Sequence, residues 1–292
     1  MGQTGVGKTS LVNALFGSTF KVSSTRPETL EPQKWVEETK NGHKLEFWDL
    51  PGFGESHLSD GKYFEEYKAK MLESHIVIWA IHADSRSFKF DRKALDELIA
   101  SVPSVERTRI MNKIIFILTK VDLLSPSPWI LTKLGSDGVF TVHGETEKLL
   151  IAKESYFQEA FIAPFAHLLK AQTHRRRNFN IRDDHLDYDE HTVYYRGWMS
   201  GEKLARLLEL HPEHKEVFHG LYHNYRVIPC SSRFRFNLDP LMEAIVNKLE
   251  PHTIASLENV LKPERSLNTC PFETAKSFWS MEEREILGAS LV

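Results

Sequence analysis

Short apolar runs alternating with longer stretches of apolar residues at helical spacing set the first picture of this chain. Ile76 to Ile81 and Ile114 to Leu118 are unbroken apolar runs of strand length, as expected for strands buried on both faces. Ser10 to Leu15, Tyr63 to Glu73, Asp91 to Ile99 and Leu238 to Leu249 carry apolar residues at helical spacing and read as helices. Gln33 to Thr39 and Lys44 to Trp48 alternate around Asn41-Gly42 and predict an antiparallel hairpin. Val227-Ile228 predicts a further short strand. Strands and helices in alternation, with loops at the strand ends, predict a three-layer α/β sheet with helices on both faces.

The segment Leu123 to Tyr225 interrupts that alternation. Glu145 to Leu169 reads as a helix broken near Pro164, and Gly201 to Tyr222 as a second helical stretch broken around Pro212. Between them His174 to Glu190 is charged and irregular. The expected organisation is a body over 1–122 and 226–250, a mainly helical insert over 123–225, and a helical tail over 251–292 with its helix around Ala275 to Ile286. Ser18 to Pro32, rich in Ser, Thr and Pro, reads as a loop after the helix stop at Gly17.

Composition changes this picture little. A chain of 292 residues with 41% hydrophobic content can bury a sizeable core. A formal net charge of -3 gives no global pull toward nucleic acid or an anionic membrane. No apolar run approaches the ~20 residues of a spanning helix, and Cys230 and Cys270 make no disulfide framework, so a cytoplasmic setting is expected.

The chemistry lies at the predicted strand ends. Gly2-Gln3-Thr4-Gly5-Val6-Gly7-Lys8-Thr9 fits the phosphate-loop spacing of Gly, four residues, then Gly-Lys-Thr. Its glycines let successive N–H groups point inward at a polyphosphate, Lys8 adds a charge, and Thr9 offers a hydroxyl to Mg²⁺. Ser10 continues a helix whose positive end faces the same anion. Only Met1 precedes Gly2, so the strand that leads into such a loop is expected to be missing, through truncation of the chain start. Asp49-Leu50-Pro51-Gly52, Thr119-Lys120-Val121-Asp122 and Cys230-Ser231-Ser232 follow, each at the carboxyl end of a predicted strand, where α/β sheets place ligands.

These four stretches in this order resemble the TRAFAC class of P-loop GTPases, and within it the Era and YeeP-like branch. Ala83 to Asp91, with Arg86 and Asp91, is similar to that branch as well. The resemblance covers roughly residues 1 to 122 and 226 to 250. It implies a G domain binding GTP or GDP with Mg²⁺. Gly5, Val6, Gly7, Lys8, Thr9 and Ser10 would hold the phosphates, with Thr9, Asp49 and a switch threonine on the metal. Thr29 is the choice for that threonine, with Thr25 its rival. Lys8, Thr29 and Gly52 would serve catalysis, the Gly52 N–H meeting the γ-phosphate.

Asp122 has the placement to accept from guanine N1–H and the 2-amino group, which adenine does not offer. Lys120 would lay its stem along the base, and Thr119 stands where the family usually has Asn. Ser231 and Ser232 take the place where backbone N–H groups meet guanine O6. Phe53 stands where many relatives carry the Gln that orients the attacking water, so the expected hydrolysis is slow. The alternative is a nucleotide-binding or structural module without turnover. An effector protein, and a homodimer, are the partners such a switch leaves open. The histidines at 211, 214, 219 and 223, the acidic run Asp183 to Asp189 and Arg175 to Arg177 read as ordinary surface or packing residues.

Overall fold

The structure is a computed structural model that describes residues 1–17, 32–38, 44–52, 61–85, 88–124, 129–249 and 266–278. In the body the elements run α1 (Lys8–Phe16), β1 (Gln33–Glu38), β2 (Lys44–Asp49), α2 (Gly61–Glu73), β3 (Val77–His82), α3 (Lys89–Ser101), α4 (Ser104–Lys113) and β4 (Ile114–Thr119). The insert adds β5 (Trp129–Leu134), β6 (Asp137–Val142), α5 (Glu145–Phe157), β7 (Lys170–His174), β8 (Leu186–Tyr188), β9 (Thr192–Arg196), α6 (Gly201–Leu210) and α7 (Lys215–His223). The chain returns through β10 (Ile228–Pro229), α8 (Leu238–Lys248) and β11 (Thr269–Pro271).

A parallel sheet in the order β10-β4-β3 forms the middle layer. Every residue of β4 is buried, as a central strand covered on both faces requires. Alternate residues divide between two cores. Ile115 and Ile117 pack with Leu11 and Leu15 of α1 and Leu241 and Ile245 of α8. Ile114, Phe116 and Leu118 pack with Met71 of α2, Leu95 and Leu98 of α3 and Ile110 of α4. The three-layer α/β arrangement is thus present. Gly17, in the left-handed region at φ 66, ends α1 as expected.

Met1 and Gly2 lie beside β3: the Met1 amino group donates to Ile78 O at 2.7 Å, and Ala80 N–H donates to Met1 O at 2.9 Å. Met1 and Gly2 thus lead into the phosphate loop as a strand would, with a parallel bridge between Gly2 and Ala80. β1 and β2 form the expected hairpin, paired from Gln33 with Asp49 to Glu38 with Lys44. Asn41-Gly42 lies outside the described residues.

The insert carries strands beside its expected helices. These form two small antiparallel sheets, β11-β6-β5, in which β11 is added from the tail, and β7-β9-β8. The first turns at Gly135-Ser136, with Leu134 paired to Asp137 and Gly135 at φ 62, a Gly-Ser hairpin signal legible in the sequence. The expected helical breaks are there: after α5 the helix widens over Gln158–Ile162 and tightens over Ala163–Leu168, and α6 and α7 are separated around Pro212. α4 was not expected, because only Ile110, Met111 and Lys113 of its residues are buried. In the tail, 272–278 is helical, and β11, unexpected in a stretch containing Pro271, pairs with β6. Insert and body share one core: Phe161 meets Phe116 with ring centres 5.2 Å apart, and Phe157 meets Phe88 at 4.8 Å. Among the described residues no helix is long and apolar enough to cross a membrane.

Candidate nucleotide-binding site

The phosphate loop is shaped by its glycines in two ways. A Cβ on Gly2 would lie 2.3 Å from Ala80 O, so only glycine lets the chain run this close to β3. Gly7 adopts φ 98 and opens α1 without a side-chain cap, leaving the helix N–H groups facing the loop. Lys8 Nζ donates to Gly2 O at 3.1 Å and Gln3 O at 3.0 Å, spanning the loop from within. Burial lowers its pKa to about 8, against the opposing pull of Asp49 and Asp91.

Thr9 and Asp49 meet at the mouth of this loop, Thr9 Oγ1 donating to Asp49 Oδ2 at 2.5 Å. Asp49 sits at the end of β2 and is buried. A hydroxyl and a carboxylate converging beside a phosphate cradle form an oxygen donor set that suits Mg²⁺. Gly52 brings the following turn onto the loop: a Cβ there would fall 2.3 Å from Thr4 N and Cα. Two motifs far apart in the chain are therefore in backbone contact.

On the other side, Thr119 Oγ1 donates to Val6 O at 2.6 Å and lies 3.2 Å from Ile81 O, joining β4, the phosphate loop and β3. This hydroxyl gives Thr a concrete task at a position where Asn is usual. Lys120 is in the left-handed region at φ 57, and its Cε lies 3.7 Å from the position of a Cβ on Gly7, so its stem covers the loop. Asp122 follows in a tight turn, Val121–Leu123, and keeps 9% of its surface exposed.

Ser231 does a different job from the one expected. Its N–H donates to Phe236 O at 3.1 Å, and its Oγ accepts from Phe234 N–H at 3.0 Å. It closes its own loop and has no N–H left for a base. Ser232 beside it is half-buried. Ser10 lies half-buried in the first turn of α1. Thr29, Thr25 and Phe53 lie outside the described residues.

The structure adds two residues to the site. Asp91, in the first turn of α3 and 1% exposed, accepts a hydrogen bond from Gln3 Nε2 of the phosphate loop. Burial pushes its pKa up, while Gln3 and Trp79 hold it down. Together with Thr4, Gly5 and His82 these two line a cavity of about 230 Å³ beside the loop. A buried Asp cannot be told from a helix-start Asp by spacing alone.

Residues 1–120 match the family model described as a 50S ribosome-binding GTPase. Over 128 residues the chain is 33% identical to the uncharacterized protein YkfA and 30% identical to the uncharacterized protein YfjP, both of Escherichia coli K12. Each match covers 44% of this chain and 42% of the relative, so the chain spans less than half the length of these proteins. Among solved structures it is similar to Toc33 of Arabidopsis thaliana. In the complex with Mg²⁺ and GMPPNP the TM-score is 0.41 at 19% identity. In a dimerization-deficient mutant it is 0.40 at 18%, and each likeness covers 56% of this chain and 60% of the other. The phosphate loop, the Asp49 turn and the Thr119 to Lys120 corner all lie inside the segment, residues 1–120, that matches this GTPase family model.

Proposed function

We propose that this protein binds GTP and GDP with Mg²⁺ and hydrolyses GTP slowly, as a switch read by a partner protein. The observation that carries the reading is the meeting of Thr9 and Asp49, 2.5 Å apart at the mouth of a loop already spanned by Lys8. Thr9 and Asp49 would hold Mg²⁺, which neutralises phosphate charge when bound. The N–H groups of Gly5 to Thr9 wrap the β-phosphate, and the Lys8 ammonium exchanges its carbonyl partners for phosphate oxygens. Asp122 accepts from the guanine N1–H and 2-amino groups, and Lys120 lies along the base. Gly52, seated on Thr4, offers its N–H to the γ-phosphate.

Water attacks the γ-phosphorus in line, the bond to the β,γ-bridging oxygen breaks, and GDP and phosphate leave. Thr29 is assigned to the metal in the GTP state by resemblance alone. Phe53 has no group to orient the water, so turnover waits for a group from a switch, a partner or a second copy. Two unpaired thiols, Cys230 and Cys270, agree with a cytoplasmic setting.

A mantGTP titration combined with single-turnover hydrolysis tests this. The expected result is saturable, Mg²⁺-dependent binding with turnover on the order of 10⁻³ s⁻¹ or slower. Absence of binding would overturn the reading. Fast unaided turnover would overturn the role given to Phe53, and binding with no turnover would favour a nucleotide-binding module.

A further inference from the structure

The loop that carries Ser231 and Ser232 is held from behind by residues outside every motif. Phe234 is fully buried and stacks on Phe140 of β6, with ring centres 4.0 Å apart and planes 10° apart. Trp129 of β5 meets Phe234 edge-on at 5.1 Å and Phe236 at 5.0 Å. From the tail, Phe278 approaches Phe234 at 6.5 Å, and the Arg233 guanidinium lies over both rings at 5.6 and 5.3 Å.

The same tail segment ties down both ends of the loop. Arg235 Nε donates to Leu267 O at 2.7 Å, and its Nη2 donates to Ala14 O of α1 at 3.2 Å. Asn268 Oδ1 accepts from Leu238 N–H at 2.8 Å and Asp239 N–H at 3.2 Å, capping α8, which Asn237 does not cap. Asn237 instead donates to Pro229 O at 2.9 Å. Arg235 and Asn237 hold φ values of 50 and 55, a region that Asn tolerates but that is unfavourable for Arg. Such a backbone persists only where its surroundings enforce it.

We propose that Phe140, Phe234 and segment 266–278 form a clamp that positions the base-binding loop and thereby sets how long a guanine nucleotide stays bound. The proposal rests on the nucleotide reading above. Bound base gains from the loop N–H groups only if the loop is already in place, because ordering it on binding costs free energy. The phosphate cradle is built from residues 2–9, Asp49 and Thr119 and makes no ring contact with the clamp. Arg235 reaches α1 at Ala14 O, at the far end of that helix from the phosphate loop, so loosening the clamp acts first on the base end. Through β6 and β11 the clamp gives the insert and the tail a mechanical route to the nucleotide.

The test uses the full chain with Phe278→Ala and Asn268→Ala, both outside the phosphate and base contacts. Hydrogen exchange at the Phe234 and Phe236 amides, measured without nucleotide, reports on the clamp itself. Release of mantGDP and affinity for pyrophosphate then report on the two ends of the site. Both variants are expected to raise exchange at these amides. They should speed mantGDP release about three- to tenfold, the worth of one aromatic or capping contact, with pyrophosphate affinity unchanged. Unchanged exchange overturns the clamp. So does a parallel loss of pyrophosphate affinity, which would mark general loosening. A wild-type chain that fails to bind mantGDP overturns the proposed function, while the exchange result still decides whether the loop is clamped.

Discussion

Thr119 shows how much one hydroxyl holds together here. It is 3% exposed and bonds the Val6 carbonyl, so Thr119→Val, close in volume, leaves that carbonyl without its donor. The expected cost is about 1–3 kcal/mol, read from urea unfolding. A cost below about 0.5 kcal/mol would show that the carbonyl finds another donor. In the proposed function Asp122 would act on the ligand instead. Asp122→Asn turns an acceptor into a partial donor, so GTP affinity should fall about tenfold or more per lost hydrogen bond while xanthosine triphosphate gains. Competition titration with both nucleotides measures this, and unchanged preference would remove the base assignment. The motif residues themselves were legible because each box is contiguous and chemically distinctive. Ser231 was not, because the group that takes its N–H, the Phe236 carbonyl, is supplied by the local fold of the loop.

Helices and strands differed in how well they could be read. β3, β4, α1 and α8 follow from apolar runs and helical spacing, since burial on the sheet demands those patterns. β8, β9 and β11 were invisible, being three to five residues long and paired with remote or charged segments. Acidic side chains in that region build turns: Asp189 Oδ1 accepts from the His191 and Thr192 N–H groups, both at 2.8 Å. Asp183 likewise accepts from His185 N–H at 3.0 Å and Lys203 Nζ at 2.7 Å. α6 begins at Ser200, whose hydroxyl accepts from Lys203 N–H at 3.1 Å. Ser200→Ala should destabilise the protein by about 1 kcal/mol in thermal or urea unfolding, with α6 amides exchanging faster. An unchanged α6 would mean that Leu204 and Leu207 packing alone sets its start.

Two lysines join the layers and give the whole molecule a pH dependence. Lys113 Nζ donates to Leu72 O at 3.1 Å and Ser74 O at 2.7 Å, and Lys248 Nζ donates to Asn112 O at 2.6 Å. Among the described residues both are held by carbonyls near helix ends rather than by carboxylates. Burial lowers Lys113 to about 8, aided by Arg109, and Lys248 to about 7. Between those values and the ordinary lysine value near 10.5 the unfolded chain binds protons that the folded chain does not. Stability should therefore rise with pH from about 7 toward about 10 on account of these two groups. Lys248→Met should flatten the rise in the thermal midpoint. A slope that is the same in this variant would assign the effect elsewhere.

The sequence by itself determined the parallel α/β body, the phosphate loop and the Asp49, Lys120 and Asp122 corners, because each depends on residues adjacent in the chain. The tertiary structure decided the rest. It set Thr119 against Val6, spent the Ser231 N–H on closing its own loop, placed Asp91 on Gln3 and brought the tail against Phe234. Each of these is a contact between segments distant in the chain or a hydrogen bond whose partner depends on loop geometry. Spacing and composition carry no record of which remote groups will fill one another's hydrogen bonds and packing volume.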